Sequence, residues 1–458
     1  MATEVTTEAA GVGTTTDAAA TTRDARETVV LEEPRDARAS GEKRATREPD
    51  SSRSLPQEAR SASRLVSLDV LRGATIAGMI LVNNPGTWSH IYWPLAHAEW
   101  NGWTPTDLIF PFFLFIVGVS ITLALGRRVE GGGSKRDLYI KIFRRFVLIY
   151  AFGFLLATFP FVKTDQVDFT GGFWSGLKTI PHGVGALLAV VRLTGVLQRI
   201  AFCYLFAALI FVKTNWRTQA LIAAALLILY CVVMTQVATP GYAAGDMSKQ
   251  ASIASFVDRK VLGNHIWKGG DRIYDPEGIL STFPAIATTL LGVLAGHWLR
   301  RRTNDYEKVA GLFVAGAALV VAGWCWNPFF PINKSLWTSS YVLFTGGLAL
   351  QLLAVCYWLI DIKGYVRWSL PFRVFGVNAL AVFVLTGLMA RAMTIREWWN
   401  LPKADGTAGA NLQTFIYQRA FASWLSPNNA SLAFAVCFVL LWLGLMGILY
   451  KKKIYIKV

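Results

Sequence analysis

Val82-Asn83-Asn84, then His97-Ala98-Glu99-Trp100-Asn101-Gly102, then Asp107-Leu108-Ile109-Phe110-Pro111-Phe112-Phe113 follow one another in a single short stretch of this chain. The first triplet closes an apolar run that starts at Leu65, and the last block opens a second run that continues to residue 126. Each run holds about twenty residues, enough for a helix rising about 1.5 Å per residue to cross a hydrocarbon layer about 30 Å thick. The stretch therefore predicts two membrane helices with a polar connection between them. That connection gathers a histidine, several amides and the carboxylates Glu99 and Asp107, so it is where chemistry is expected.

Working outward, the whole chain has the same character. Of its 458 residues, 53% are hydrophobic and 17 are Trp, a composition of polytopic helical membrane proteins and not of a soluble domain. Ten runs are long enough to span: 65 to 85, 107 to 126, 142 to 161, 193 to 212, 216 to 237, 279 to 299, 309 to 326, 336 to 360, 370 to 392 and 430 to 450. The expected fold is an all-α polytopic bundle of about 10 transmembrane helices, occupying residues 64–458. Residues 1–63 are rich in Ala, Thr, Glu, Asp and Arg and poor in aromatics, which predicts a disordered tail. The tail contains no apolar stretch, so no secretory signal is expected there.

The net charge of +16 would suggest nucleic acid in a soluble chain. In a membrane chain it is explained by basic residues that hold loops in the cytoplasm, so no nucleic-acid partner is expected. Alternate connections, counted with the helix ends and the C-terminal Lys451, Lys452, Lys453 and Lys457, carry 22 basic and 6 acidic residues; the opposite set carries 13 and 11. Both termini are accordingly expected in the cytoplasm, with His97 at the outer surface. The outer connections 238 to 278 and 393 to 429 are expected to cap a cavity there. The five cysteines lie in apolar runs without a CxxC pair, so they read as small buried hydrophobes and no metal site is expected.

The polar residues inside this apolar frame are the candidates. His97 has Asp107, Asn101 and Asn83 nearby in sequence; a carboxylate that orients an imidazole suits a base or nucleophile, whereas many histidines at interfaces merely bond a carbonyl. Asn83 is either a helix-end amide or a hydrogen-bond donor to a substrate oxygen. Arg199 lies inside an apolar run, where a charge demands a buried partner or a wet cavity, and Asn378 poses a milder form of the same question. Asp275 and Glu277, in Asp275-Pro276-Glu277-Gly278, either complement the start of the following helix or meet an amino substrate. Asn333-Lys334-Ser335-Leu336-Trp337 opens the next outer helix in the same manner. On the basic side, Arg72 either pairs with Asp69 or binds phosphate, and Arg144 and Arg145 are placed at the membrane-entry end of the third helix, where a phosphate-rich cofactor could dock.

The ordered blocks Ser67-Leu68-Asp69-Val70-Leu71-Arg72-Gly73, Val82-Asn83, His97-Ala98 with Trp100-Asn101-Gly102, and Asp107-Leu108 with Phe110-Pro111 resemble the heparan-α-glucosaminide N-acetyltransferase family of transmembrane acetyltransferases. The likeness continues through Gly195-Val196-Leu197-Gln198-Arg199, Tyr274-Asp275-Pro276-Glu277-Gly278-Ile279-Leu280, and Asn333-Lys334, Leu336-Trp337 and Ser340-Tyr341. The resemblance implies an enzyme that moves an acetyl group from cytosolic acetyl-CoA to an amino sugar across the bilayer. It places the essential histidine on His97, the active-site asparagine on Asn83 and an acidic neighbour on Asp107, with the histidine serving as base or transient acetyl acceptor.

Where the lysosomal family members carry a lumenal domain and an extra helix, this chain has its polar tail. It also has added residues between Asn83 and His97, and Glu99 in place of a small polar residue. A bacterial relative in the inner (plasma) membrane, acting on a cell-envelope glycan or amino sugar, is the expectation, with a homodimer left open. The competing class is a solute transporter or permease lined by Arg199, Asp107 and Asn378.

Overall fold

A computed structural model describes residues 65–132, 134–162, 173–402 and 406–456. By internal contacts the chain divides into Met1–Ser63 and Arg64–Val458, and the fold concerns the second unit alone. The tail expected to be disordered lies outside the described residues.

The unit is helical, and among the described residues β-structure is limited to an isolated bridge between Leu401 and Ala410. Thirteen helices carry the architecture: α1 Val66–Asn83, α2 Ile109–Glu130, α3 Lys135–Thr158, α4 Phe173–Leu188, α5 Val196–Lys213, α6 Trp216–Gln236, α7 Ile253–Leu262, α8 Thr282–Leu299, α9 Asp305–Trp326, α10 Ser339–Cys356, α11 Leu370–Val377, α12 Ala379–Thr394 and α13 Pro427–Lys451. Among the described residues, α1, α2 with its leading turn Pro105–Leu108, α5, α6, α8, α9, α10 with its π-helical extension Tyr357–Ile362, and α13 are eight helices long and apolar enough to cross a membrane.

Two of the ten expected spans take a different form. The run 370 to 392 is broken into α11 and α12, which meet at 84°. The break is at Asn378, whose Nδ2 donates to the Ile454 carbonyl at 3.1 Å and whose Oδ1 accepts from the Ile456 amide at 2.8 Å. An amide that the sequence places inside a helix thus fastens the C-terminal segment to a bend. The run 142 to 161 belongs to α3, which starts at Lys135 and carries Arg136, Lys141, Arg144 and Arg145 along its first half. Those cations keep it out of the uniformly apolar set.

Helix ends are fixed by long-range partners as well as local caps. Asp361, at the end of α10, accepts the Val66 and Ser67 amides at 3.2 and 3.1 Å, and so caps the otherwise uncapped start of α1. Arg300 after α8 bonds Glu130 at the end of α2 at 2.6 Å. These pairs gather one end of the bundle, and the connection holding His97 lies at the opposite end of α1 and α2.

Among the described residues, several helix crossings bring backbones into contact, most closely α2 with α8 and α1 with α11. A Cβ added to Gly118 of α2 would fall 1.9 Å from the Thr289 carbonyl oxygen, and one on Gly292 of α8 would fall 2.0 Å from that of Phe115. The same holds where α1 crosses α11: Gly73 and Gly376 would meet the Phe372 and Asp69 carbonyls at 1.6 and 1.9 Å. Small residues of this kind let helices approach closely where apolar lipid gives little drive to associate. Around these crossings Leu114, Phe115, Val119, Ala285 and Leu290 are fully buried and form the centre of the bundle. Of the cysteines, Cys203 and Cys356 are buried as expected, whereas Cys325 and Cys437 are exposed on α9 and α13.

Candidate active site

The connection between α1 and α2 is folded around one carboxylate. Asp107 is 1% exposed, and its Oδ2 accepts the Ala98 amide at 3.0 Å, the Thr104 amide at 3.0 Å and the Thr104 hydroxyl at 3.1 Å. Thr104 and Asp107 form a reciprocal capping box before α2, a local signature of helix initiation. The Thr104 hydroxyl, 2.7 Å from the Ala96 carbonyl, shares its single proton between that oxygen and Asp107, and Thr106 donates to the Pro94 carbonyl, closing the loop on itself. The remaining oxygen, Oδ1, is 2.7 Å from His97 Nδ1. An ionised carboxylate only accepts, so Nδ1 carries the proton and Nε2 presents its lone pair. The His97 side chain is 45% exposed, so a buried anchor holds an accessible imidazole.

A third group completes this cluster. The Lys334 ammonium lies 2.9 Å from His97 Nδ1, 3.2 Å from Nε2 and 3.4 Å from Asp107 Oδ1. Nδ1 is already committed to Asp107, so Nε2 is the nitrogen that accepts from lysine. Burial lowers the Lys334 pKa, and the charges of Asp107 and Glu277 act against that shift.

Lys334 is held in place by its neighbours. Asn333 is fully buried, donates to Asn101 Oδ1 at 3.1 Å and accepts the Leu336 amide at 2.9 Å, while the Gly102 amide bonds the Ile332 carbonyl at 2.7 Å. Trp337, at φ +53°, occupies left-handed backbone that a bulky residue seldom adopts. Its indole donates to Thr288 Oγ1 at 3.1 Å and its ring meets Tyr341, whose hydroxyl bonds the Asp107 carbonyl at 2.5 Å.

Arg199 joins the site from the other side. Placed in the first turn of α5 and 1% exposed, it donates to the Gly278 carbonyl at 3.1 Å and to the Ser281 hydroxyl, with its guanidinium 5.1 Å from the Trp337 ring centre. Among the described residues, its Nε and Nη1 have no hydrogen-bond partner. A chain of contacts, Arg199 to Trp337 to Tyr341 to Asp107, links this intramembrane charge to the His97 loop.

The turn Asp275–Gly278 is held by Arg192, a residue that the sequence did not single out. Arg192 bonds both Asp275 oxygens and reaches Glu277 Oε2 at 2.5 Å. Asp275 also accepts the Thr194 hydroxyl at 2.6 Å and the Trp267 amide at 3.0 Å. Burial alone would raise the Asp275 pKa; the Arg192 bond and charge outweigh it, and the net shift is downward. Because α8 begins at Thr282, with no acidic residue in its first turn, the two carboxylates serve this ion-pair cluster and not the helix start. Asp258 of α7, 2% exposed, lies beside it and bonds the Ile279 amide at 2.8 Å; burial, with the Asp275 charge adding to it, pushes its pKa up to about 7.

The other expected residues are more dispersed. Asn83 is exposed at the end of α1 and, among the described residues, makes no hydrogen bond to His97 or Asp107. Arg72 bonds Asp69 at 3.0 Å and Ser120 at 2.8 Å. Arg145 stacks 5.0 Å from the Tyr204 ring centre, and Arg144 is exposed. Both lie inside α3, about 15 Å along its axis from its start at Lys135. The three guanidiniums thus occupy separate environments. Among the described residues, no group of three or more His, Cys, Asp or Glu side chains is arranged to hold a metal ion.

Comparison with known proteins now bears on this geometry. The chain is 28% identical over 448 residues to the heparan-alpha-glucosaminide N-acetyltransferase of Mus musculus, covering 87% of this chain and 61% of that protein. It is 28% identical over 449 residues to the protein of that name from Homo sapiens, covering 86% and 60% respectively. The chain therefore spans about 60% of the length of these relatives. Residues 64–323, which hold His97, Asp107, Arg192, Arg199 and the Asp275–Gly278 turn, match the family described as "Heparan-alpha-glucosaminide N-acetyltransferase, catalytic", and the chain belongs to that family.

Proposed function

We propose that this protein transfers an acetyl group from acetyl-CoA on the cytoplasmic side to an amino group of a sugar or glycan on the opposite side, in the plasma membrane of a bacterium. The observation that carries the proposal is the His97–Asp107 pair: a carboxylate fully engaged by its own loop orients an accessible imidazole so that the Nε2 lone pair, which here accepts from Lys334, is presented to an incoming group. In the direct form of the reaction the amine attacks the thioester carbon, its proton passes to Nε2, and the C–S bond breaks once the C–N bond has formed. In the two-step form Nε2 itself takes the acetyl group and hands it to the amine. In either form the thiolate leaves with the bonding pair and is then protonated.

The topology expected from the distribution of charge supports this assignment. Acetyl-CoA is a polyanion, and the end of the bundle away from His97 is the basic one, with Arg127, Arg128, Arg300, Arg301 and Arg302. Arg72, Arg144 and Arg145 are proposed to meet its phosphates, Asn83 to approach the reacting carbonyl, and Glu277 to favour an amine. A homodimer is compatible with this scheme and is tested by mass measurement in detergent. The function is tested by supplying washed membranes with labelled acetyl-CoA and glucosamine. The expected result is labelled sugar with the wild type and background label with His97→Ala; equal labelling by both would overturn the assignment. Label retained on the protein in the absence of glucosamine selects the two-step form.

A further inference from the structure

We propose that Lys334 is a further catalytic residue, whose ammonium donates to the thioester carbonyl oxygen as that oxygen gains charge. The inference rests on the acetyl-transfer function proposed for His97 and assigns the group that stabilises its oxyanion.

The geometry is specific. Lys334 Nζ is 3.2 Å from Nε2, the nitrogen that attacks the carbonyl carbon or accepts the amine proton beside it. In the two-step form the carbonyl oxygen comes to lie two bonds from Nε2. In the direct form the attacking amine is hydrogen-bonded to that nitrogen, and the oxygen lies two bonds from the amine. In both, an ammonium that touches Nε2 before substrate arrives needs only to pass to an oxygen close by.

The flexible stem of lysine permits that movement, because its side chain is 20% exposed while its backbone is fastened through Asn333, Gly102 and Trp337. The groups facing the ammonium are His97 and Asp107 from the α1–α2 connection and Glu277 from the turn before α8, and both carboxylates favour its charged form. Asp107 Oδ1 at 3.4 Å also leaves the lysine a partner when Nε2 becomes protonated.

The step balances without any further reactant. Attack forms the N–C bond and moves the carbonyl π pair onto oxygen, where the Lys334 N–H donates to it. Collapse returns that pair to the carbonyl and breaks the C–S bond, and the thiolate leaves and is protonated. Lys334 keeps its proton throughout. Oxyanion donors of this kind contribute mostly to the transition state, where the charge is greatest.

The test uses the purified full chain with acetyl-CoA and glucosamine, together with a thioether analogue of acetyl-CoA whose carbonyl is replaced by methylene. Lys334→Gln is expected to lower kcat about 100-fold while KM for acetyl-CoA changes by less than about threefold. The analogue, lacking the oxygen, is expected to bind the wild type and Lys334→Gln equally. Lys334→Arg is expected to fall between them. Lys334→Cys alkylated with 2-bromoethylamine, which rebuilds an ammonium of similar reach, is expected to recover most of the lost kcat, with the wild type treated in parallel because Cys325 and Cys437 are exposed.

Wild-type kcat in Lys334→Gln, a weakened KM at unchanged kcat, or no recovery on aminoethylation would overturn the assignment. If His97→Ala is inactive while Lys334→Gln is not, the Lys334 role fails and the function stands. Transfer that survives in His97→Ala, or is absent from the wild type, removes both.

Discussion

Replacing Asp107 by Asn tests the proposed site most directly, because the structure dictates which way the amide must turn. At Asp107 Oδ2 three donors converge, the Ala98 and Thr104 amides at 3.0 Å and the Thr104 hydroxyl at 3.1 Å, whereas Oδ1 faces only His97 Nδ1 and Lys334. Placing the Asn NH2 among those donors would leave the buried Thr104 N–H unpaired, at about 1–3 kcal/mol, and the half-buried Ala98 N–H with it. The amide oxygen therefore takes the Oδ2 position and the NH2 faces His97.

A donor against Nδ1 forces the proton to Nε2, so the loop persists while the imidazole is held in the wrong tautomer. In hydrolytic triads the equivalent exchange lowers kcat by about 10⁴-fold. Here a loss of about 10³- to 10⁴-fold is expected, which corresponds to about 4 to 5.5 kcal/mol in the barrier. The unfolding free energy is expected to fall by only about 1 kcal/mol, because the loop's other bonds remain. The assay is single-turnover acetyl transfer by purified protein in detergent, alongside a thermal melt. An Asp107→Asn variant that folds and keeps more than about one tenth of wild-type kcat would refute the role assigned to the His97–Asp107 pair.

Other expectations follow from the packing and the charges. Asp258 keeps its proton up to about pH 7 in the folded chain, with burial the main cause and Asp275 adding, against the Ile279 amide, Arg199 and Arg192. An unfolded aspartate releases its proton near pH 4, so between about pH 4 and 7 the folded state binds more protons and stability falls as pH rises, by up to about 1.4 kcal/mol per unit; Asp258→Asn is expected to flatten that slope in denaturation series across this window. Gly118→Ala drives a Cβ to 1.9 Å from the Thr289 carbonyl, so it is expected to cost at least about 1–3 kcal/mol and lower the melting temperature, and an unchanged melt would contradict the close crossing. Asn378→Ala removes both bonds to the C-terminal segment and is expected to cost about 1–3 kcal/mol, with faster protease cleavage beyond Lys451 as the readout.

The hydrophobic runs were legible because a membrane helix must satisfy its backbone internally over a fixed length, and the length shows in the sequence. The His97–Asp107 contact was legible for a similar reason: ten residues with a capping signature between them bring both to one loop. Lys334 is 237 positions from His97, and Arg192 is 83 from Asp275, so neither partnership leaves a local trace. The signal for Lys334 was that it is the cation in a short turn carrying a buried-type Asn and Trp. Arg192 stands three residues before the quoted Gly195–Arg199 block, and only the folded turn shows what it holds. Asn378 was placed within a straight helix because the bend depends on backbone groups of Ile454 and Ile456, remote in sequence. Hydropathy marks only the apolar run from residue 142, whereas α3 starts at Lys135, because its first turns are charged and carry no apolar signal.

The glycine crossings also bear on how a solute or an acyl group could pass this bundle. Where α2 meets α8 and α1 meets α11, carbonyl oxygens lie where side chains would otherwise begin. A cycle that rocks one half of the bundle against the other would have to pry apart these two main-chain seams or turn about them as fulcrums. The proposed chemistry, carried by a side chain and a flexible thioester arm, asks for no such motion, and under it the four helices would serve as a stationary frame.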